Sequence, residues 1–179
     1  MENMFSDKKD KLEMAVNLEL KIKLESKSDI IELLDKIGAE KTEILNQKDV
    51  YYENKIGLIK LRIENGKHKL IQYLREEECK DRWSHYEILN ISDENAEDFL
   101  SKIFKVETKV VKVRQLYLYK NTRIHLDAVE KLGDYLELET VVHIDRDSSK
   151  LEFDEVVNLL KLDISKQIKK SYKNLIEEL

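Results

Sequence analysis

Strict alternation of apolar and charged side chains, repeated in segment after segment, is the feature that most limits how this chain can fold. In NLELKIKLE (17–25), Leu18, Leu20, Ile22 and Leu24 alternate with Asn17, Glu19, Lys21, Lys23 and Glu25. A period of two is a β-strand with two unlike faces, because successive side chains leave a pleated backbone on opposite sides. The pattern recurs in LIKLRI (58–63), KLIQYLR (69–75), VVKVRQ (110–115), TRIHLDA (122–128) and YLELE (135–139). Lys60 and Arg62 share one face of their segment, as do Lys69, Ile71, Tyr73 and Arg75 of the next. Lys112 and Arg114 do the same, followed by Arg123, His125 and Asp127, and then by Tyr135, Glu137 and Glu139.

Two arrangements satisfy such strands. In one the apolar face enters a core and the ionic face meets water, where cross-strand ion pairs add ~0.2–1 kcal/mol each. In the other the sheet closes on itself and the ionic faces line a common interior. The distribution of sign matters here. Cations fill the middle strands, and acids concentrate at Glu19, Glu137 and Glu139. Lysines and arginines gathered in one space repel unless a polyanion sits among them, and clustered carboxylates repel unless a cation does. A triphosphate carrying a hard divalent metal meets both needs.

Around these segments the chain reads as α+β with a mostly antiparallel sheet. SKSDIIELLDKIGAE predicts a helix capped by Ser28 and ended at Gly38. Asn65-Gly66 predicts a type I′ hairpin, and SHYEILNI (84–91) a further strand. Residues 91–105 predict a helix with Ala96, Phe99, Leu100 and Ile103 on its buried face, capped at Ser92 or Asp93. Strands follow at 107–119, 122–128 and 134–143, and helix from 149 onward, broken near 163–165. Residues 1–15 read as a flexible charged leader and 16–179 as a single domain.

Composition excludes several classes. The net charge of −5 argues against a general nucleic-acid or anionic-membrane binder. One cysteine, Cys79, cannot form an internal disulfide, which suits the reducing cytoplasm. No apolar h-region opens the chain, and no run approaches the ~18 apolar residues of a membrane span. With four glycines and no proline there is no Gly-rich phosphate loop, so any phosphate must be held by side chains. His68, His85 and His143 lack ligand spacing with one another or with Cys79, which leaves zinc unsupported.

The ionic rows resemble those of the CYTH domains, the triphosphate tunnel metalloenzymes that include class IV adenylyl cyclases and thiamine- and inorganic-triphosphatases. NLELK is similar to the family's E-x-E-x-K, and QKDVYY (47–52) to its Q-x-D-x-Y-F. The K-x-R motifs match Lys60–Arg62 and Lys112–Arg114. RIHLDAVEKLGDYLELE (123–139) is the closest match, and SYKNLIEEL resembles the family's closing helix. Some bacterial members share the N-x-E-x-K form of the first strand and a Y-x-R strand followed by a stretch like KDRWSHY (80–86).

The resemblance implies a closed or nearly closed eight-stranded antiparallel β-barrel with flanking helices, its ionic faces turned into the tunnel. It implies Mg²⁺ or Mn²⁺ held by Glu19, Glu137 and Glu139. It makes Lys21, Lys23, Lys60, Arg62, Arg75, Lys112, Arg114 and Arg123 phosphate contacts, with Glu19, Lys21, Arg123 and Glu137 carrying catalysis. Asn17 stands where the family has its first acid, so affinity for a second ion should fall. The implied substrate is a small-molecule triphosphate: ATP, thiamine triphosphate or inorganic triphosphate. The expected reaction is hydrolysis, with cyclisation of ATP to cyclic AMP and pyrophosphate as the alternative. A non-catalytic triphosphate binder and a plain scaffold with solvent-facing ionic strands stand behind these. A monomer or homodimer is expected, with no nucleic-acid or membrane partner. His125 is expected to face the tunnel, Asp127 to orient neighbouring cations, and Trp83 to sit partly exposed at the barrel rim.

Overall fold

The computed structural model describes residues 15–75 and 82–179. Eight strands form the body: β1 (Ala15–Lys23), β2 (Glu40–Tyr52), β3 (Leu58–Glu64), β4 (Lys67–Arg75), β5 (Trp83–Ile91), β6 (Val106–Tyr119), β7 (Thr122–Val129) and β8 (Gly133–Val141). They close into one barrel in the order β1-β5-β4-β3-β2-β6-β7-β8, with every neighbouring pair antiparallel. Closure leaves no open sheet edge. The β3–β4 hairpin turns through Asn65 and Gly66, both with positive φ (47° and 79°), as a type I′ turn requires. Gly57 precedes β3 at φ +68°, and a Cβ there would stand 2.1 Å from the Tyr73 carbonyl oxygen, so only glycine fits.

The apolar face of the alternating strands points outward. Leu18, Leu20 and Ile22 of β1, Ile124 and Leu126 of β7, and Leu136 and Leu138 of β8 are buried beneath two helices, α1 (Lys27–Ile37) and α3 (Arg146–Leu159). Ile30 and Leu34 of α1 and Phe153, Val156 and Val157 of α3 complete this layer. The barrel interior is thereby released from core duty and can carry charge. Ser26 rather than Ser28 caps α1, accepting from the Asp29 N–H at 3.4 Å; Ser28 falls inside the first turn. Gly38 ends the helix at φ 73°, as its position predicts. α3 begins at Arg146 behind the Asp145 cap, three residues earlier than the sequence pattern suggests. Trp83 is 6% exposed in this outer core, with the Arg146 guanidinium 4.7 Å from its ring centroid, and not at a rim.

α2 (Ala96–Ile103) covers Val50, Tyr52 and Leu61 through Ala96, with Leu100 half-buried against them. Phe99 and Ile103, expected on that face, are 63% and 58% exposed: only one edge of this two-turn helix reaches the barrel. Among the described residues no helix is long and apolar enough to cross a membrane.

The chain returns to the barrel at its end. After a 3₁₀ turn at Ile164–Lys166, α4 (Tyr172–Glu177) inserts Tyr172 among Tyr51, Val110, Val129, Leu132 and Tyr135 inside one end of the barrel. Ser171 and Asn174 form a capping box that fixes the helix start. Ser171→Ala is expected to lower stability by about 1 kcal/mol, read as a shift of the urea midpoint without a change in slope.

Candidate active site

Inside the barrel the ionic rows meet in register. Across β1 and β8, Glu19 stands opposite Glu139 and Lys21 opposite Glu137. Across β7 and β8, His125 faces Glu137 and Arg123 faces Glu139. Arg114 of β6 lies opposite Asp127 of β7, and Arg62 of β3 opposite Asp49 of β2.

Two buried aspartates organise the cations. Asp49 accepts from Lys60 Nζ at 2.6 Å and from Arg62 Nε and Nη2 at 2.7 and 2.8 Å. Asp127 accepts from Lys112 Nζ at 2.9 Å, from Arg114 Nε and Nη2 at 2.7 and 2.6 Å, and from the Tyr172 hydroxyl at 3.0 Å. Each K-x-R pair thus shares one carboxylate from the neighbouring strand, which compensates burial of two charges and fixes both side chains. Burial alone would raise the Asp49 carboxyl, but Arg62 and Lys60 hold it well below the carboxylate range. Burial opposes ionisation of Asp127 too, and Arg114 and Lys112 outweigh it. Burial pushes the Lys112 ammonium down to about 8, with Arg114 acting in the same sense.

The carboxylates of β8 link these clusters. Glu137 bonds to Arg114 and lies 3.2 Å from Lys21 Nζ, while Glu139 lies 3.0 Å from Arg123 Nη2. Burial would raise the Glu137 carboxyl, yet Lys21 and Arg114 hold it well below its ordinary range. Lys21 also donates to the Lys170 carbonyl at 3.0 Å and sits 4.0 Å from the Tyr172 ring centroid. Burial drives the His125 imidazole down to about 3, so it is neutral at physiological pH.

The enclosed space has two connected compartments. The inner one, about 40 Å³, is bounded by Lys21, Lys60, Lys112, Tyr51 and Tyr172. The outer one, about 260 Å³, is lined by the polar Arg123, His125 and Lys69 together with Leu45, Ile71, Tyr86, Ile88 and Leu116. Glu19, Arg62, Tyr73, Arg114 and Glu139 border both. These five residues come from five strands, β1, β3, β4, β6 and β8, so groups from all round the barrel meet where the two compartments adjoin.

The donor set fits a divalent metal. His125, Glu137 and Glu139 each offer a ligand atom, all within 4.8 Å of one another. Glu19 stands directly across from Glu139 in the β1–β8 register, which adds a third carboxylate beside this group. Asn17 is committed elsewhere: with its amide oriented to satisfy its hydrogen bonds, the oxygen accepts from Arg123 Nη2 at 2.8 Å and the nitrogen donates to the Val16 carbonyl at 3.2 Å.

Glu19, Lys21, Lys60, Arg62, Lys112, Arg114, Arg123, Glu137 and Glu139 therefore all border one space. Lys23 does not: it is exposed, its ammonium 5.9 Å from the Tyr135 ring centroid, because β1 leaves the barrel there. Arg75 ends β4, and its side chain lies outside the described residues, as do the 1–14 segment and Glu76–Glu78 with Cys79. Asp127 does sit between the cations it was expected to orient. Sequence reasoning gave no role to Asp49, Lys69, Arg82 or Tyr172. Asp49 alternates with Gln47 and Tyr51, a signal that was available; Arg82, 3.8 Å from Glu19, precedes its strand and carries no periodic signature.

Comparison with known proteins gives a consistent picture. The CYTH domain family model matches residues 15–172. A Methanocaldococcus jannaschii protein named "putative adenylate cyclase" is 29% identical over 174 residues, covering 89% of this chain and 98% of that relative. The solved PH1012 protein of Pyrococcus horikoshii superposes with a TM-score of 0.79 at 26% identity, over 89% of this chain and 98% of that one. A Hippeastrum protein, described as a "putative adenylyl cyclase" with a dominant triphosphatase activity, shares the fold at a TM-score of 0.69 and 13% identity, over 92% and 96% of the two chains.

Proposed function

This chain belongs to the CYTH domain family, and on that premise we propose that it is a divalent-metal-dependent cytoplasmic enzyme that hydrolyses a triphosphate held inside its barrel. One observation carries the reading: Glu139, Arg62, Arg114 and Arg123 border a cavity of about 260 Å³, and Glu137 joins Glu139, Arg62 and Arg114 around the smaller inner space beside it. Glu137, Glu139 and Glu19 would hold Mg²⁺ or Mn²⁺, which would supply neutralisation of phosphate charge and polarisation of the phosphorus–oxygen bonds.

The chain's own residues do the rest. Arg62 and Arg114 present planar donors already fixed by Asp49 and Asp127, so little conformational entropy is lost when phosphate oxygens arrive. Lys21, Lys60 and Lys112 supply positive charge at the inner end, where Tyr172 excludes solvent. Phosphoryl transfer depends on such positioning and charge neutralisation more than on covalent assistance. Attack by water on the terminal phosphorus would release phosphate and leave the diphosphate.

A second reading has its own support. The apolar lining from Leu45, Ile71, Ile88 and Leu116, together with Tyr73 and Tyr86, offers a place for a nucleoside. Attack by the ribose 3′-hydroxyl on the α-phosphorus would then give cyclic AMP and pyrophosphate. Protein supplied with Mg²⁺ or Mn²⁺ and, separately, ATP, thiamine triphosphate and inorganic triphosphate distinguishes the readings. Released phosphate supports hydrolysis, and cyclic AMP with pyrophosphate supports cyclisation. A tight complex without turnover would contradict both and leave a binding domain.

Binding should also depend on pH. Because the Lys112 ammonium is depressed to about 8 in the free protein and a bound polyanion raises it, its contribution to affinity, taken as the difference from Lys112→Met so that titration of the ligand cancels, is level below that value and falls above it. Calorimetry with metal-free tripolyphosphate on the two proteins is expected to show this difference shrinking by a factor approaching tenfold per pH unit above about pH 8.

A further inference from the structure

We infer that His125 contributes a nitrogen ligand to the metal site, making it a mixed imidazole–carboxylate centre that prefers divalent transition metals over Mg²⁺. The inference rests on the metal-dependent reading above and goes beyond it in naming a ligand and a selectivity.

His125 is 4% exposed, and its Nδ1 is buried without a hydrogen-bond partner. A buried nitrogen in that state forfeits its solvation and calls for an explanation. The nearest carboxylate atom, Glu139 Oε1, is 3.6 Å away, too far for a hydrogen bond. The distance lies within the roughly 4 Å that two metal–ligand bonds of about 2.1 Å can bridge. Glu137 stands opposite His125 in the β7–β8 register, so all three donors come from rigid strand positions rather than from loops. Asn17, which could have added an oxygen, is taken by Arg123.

The consequence is chemical. Mg²⁺ favours six oxygen ligands in near-ideal octahedral geometry, and imidazole suits it poorly. First-row transition metals accept imidazole, with affinity rising from Mn²⁺ through Co²⁺. A site with one imidazole among two or three carboxylates is therefore biased toward those ions, while Mg²⁺ can still enter at higher concentration.

Pulsed EPR on the wild-type protein with one equivalent of Mn²⁺ and no triphosphate tests this directly. The expected spectrum shows electron-spin-echo modulation from a coordinated imidazole ¹⁴N; bound Mn²⁺ without that modulation, or no binding, overturns the inference. In parallel, calorimetry should find Co²⁺ bound more tightly than Mg²⁺. His125→Asn should weaken Co²⁺ binding by about tenfold or more, with Mg²⁺ affinity changed less than about threefold. Equal loss of both ions would mark a merely structural histidine. Hydrolysis of magnesium triphosphate by the wild type is measured separately, so turnover without nitrogen coupling defeats this inference alone.

Discussion

Asp127→Asn is expected to cost about 3–5 kcal/mol of folding free energy, the penalty for leaving buried cations without their counter-charge. Asp127 is fully buried, and its two oxygens serve Lys112, Arg114 and Tyr172 together. Asparagine keeps the shape and removes the charge, so Lys112 loses its close anion while Arg114 keeps only Glu137. Against the roughly 5–15 kcal/mol of an ordinary domain this is a large share, visible as a lower urea midpoint. The native carboxyl is held below its unfolded value, so its contribution is present above the ordinary carboxylate range and is lost as pH falls through the depressed value. The gap between wild type and variant should therefore narrow in strong acid. Metal-free tripolyphosphate, which would replace the missing anion, should raise the Tm of the variant more than that of the wild type. A cost below about 1 kcal/mol, or no differential effect of tripolyphosphate, would mean that the inner cations are not compensated as described.

Glu137→Gln is expected to reduce kcat/KM for a metal triphosphate by on the order of 1000-fold, with a much smaller loss of stability. The asymmetry follows from the partners. Without the Glu137 charge, Lys21 retains the Lys170 carbonyl and the Tyr172 ring, and Arg114 retains Asp127. The metal loses a charged donor that nothing else replaces, because Asn17 is bound to Arg123. Raising Mn²⁺ should not restore kcat. Activity within about twofold of wild type, or a loss that merely tracks the unfolded fraction, would remove Glu137 from the assigned role.

Much of the barrel was legible because alternation is a backbone property: once Lys60, Lys112 and Glu137 occupy the faces opposite Leu61, Val113 and Leu138, one face must be enclosed or solvated. Which of these it is cannot be read from one strand. It depends on closure, and closure is a long-range property of eight strands that the repeated sign pattern and the family resemblance supplied together. The metal and phosphate candidates were visible for the same reason, since they sit at period two in central strands. The remainder was hidden by tertiary causes. Phe99 and Ile103 have helical spacing with Ala96, but only one edge of α2 meets the barrel. Tyr172 lies 45 residues beyond the Asp127 it bonds. Arg82 is brought near Glu19 by the approach to β5, not by any pattern in KDRWSHY. Ser28 was the expected cap of α1, but the helix already starts at Lys27, and Ser26 accepts from the Asp29 N–H instead.

The most direct test of the account is a crystal structure of the protein soaked with Mn²⁺ and tripolyphosphate, with anomalous data collected at the manganese edge. The account predicts an anomalous peak between Glu137 and Glu139 and a phosphate chain inside the barrel in contact with Arg62 and Arg114. Ligand bound only on the outer surface, with the Asp49 and Asp127 clusters unchanged and no metal at β8, would contradict it.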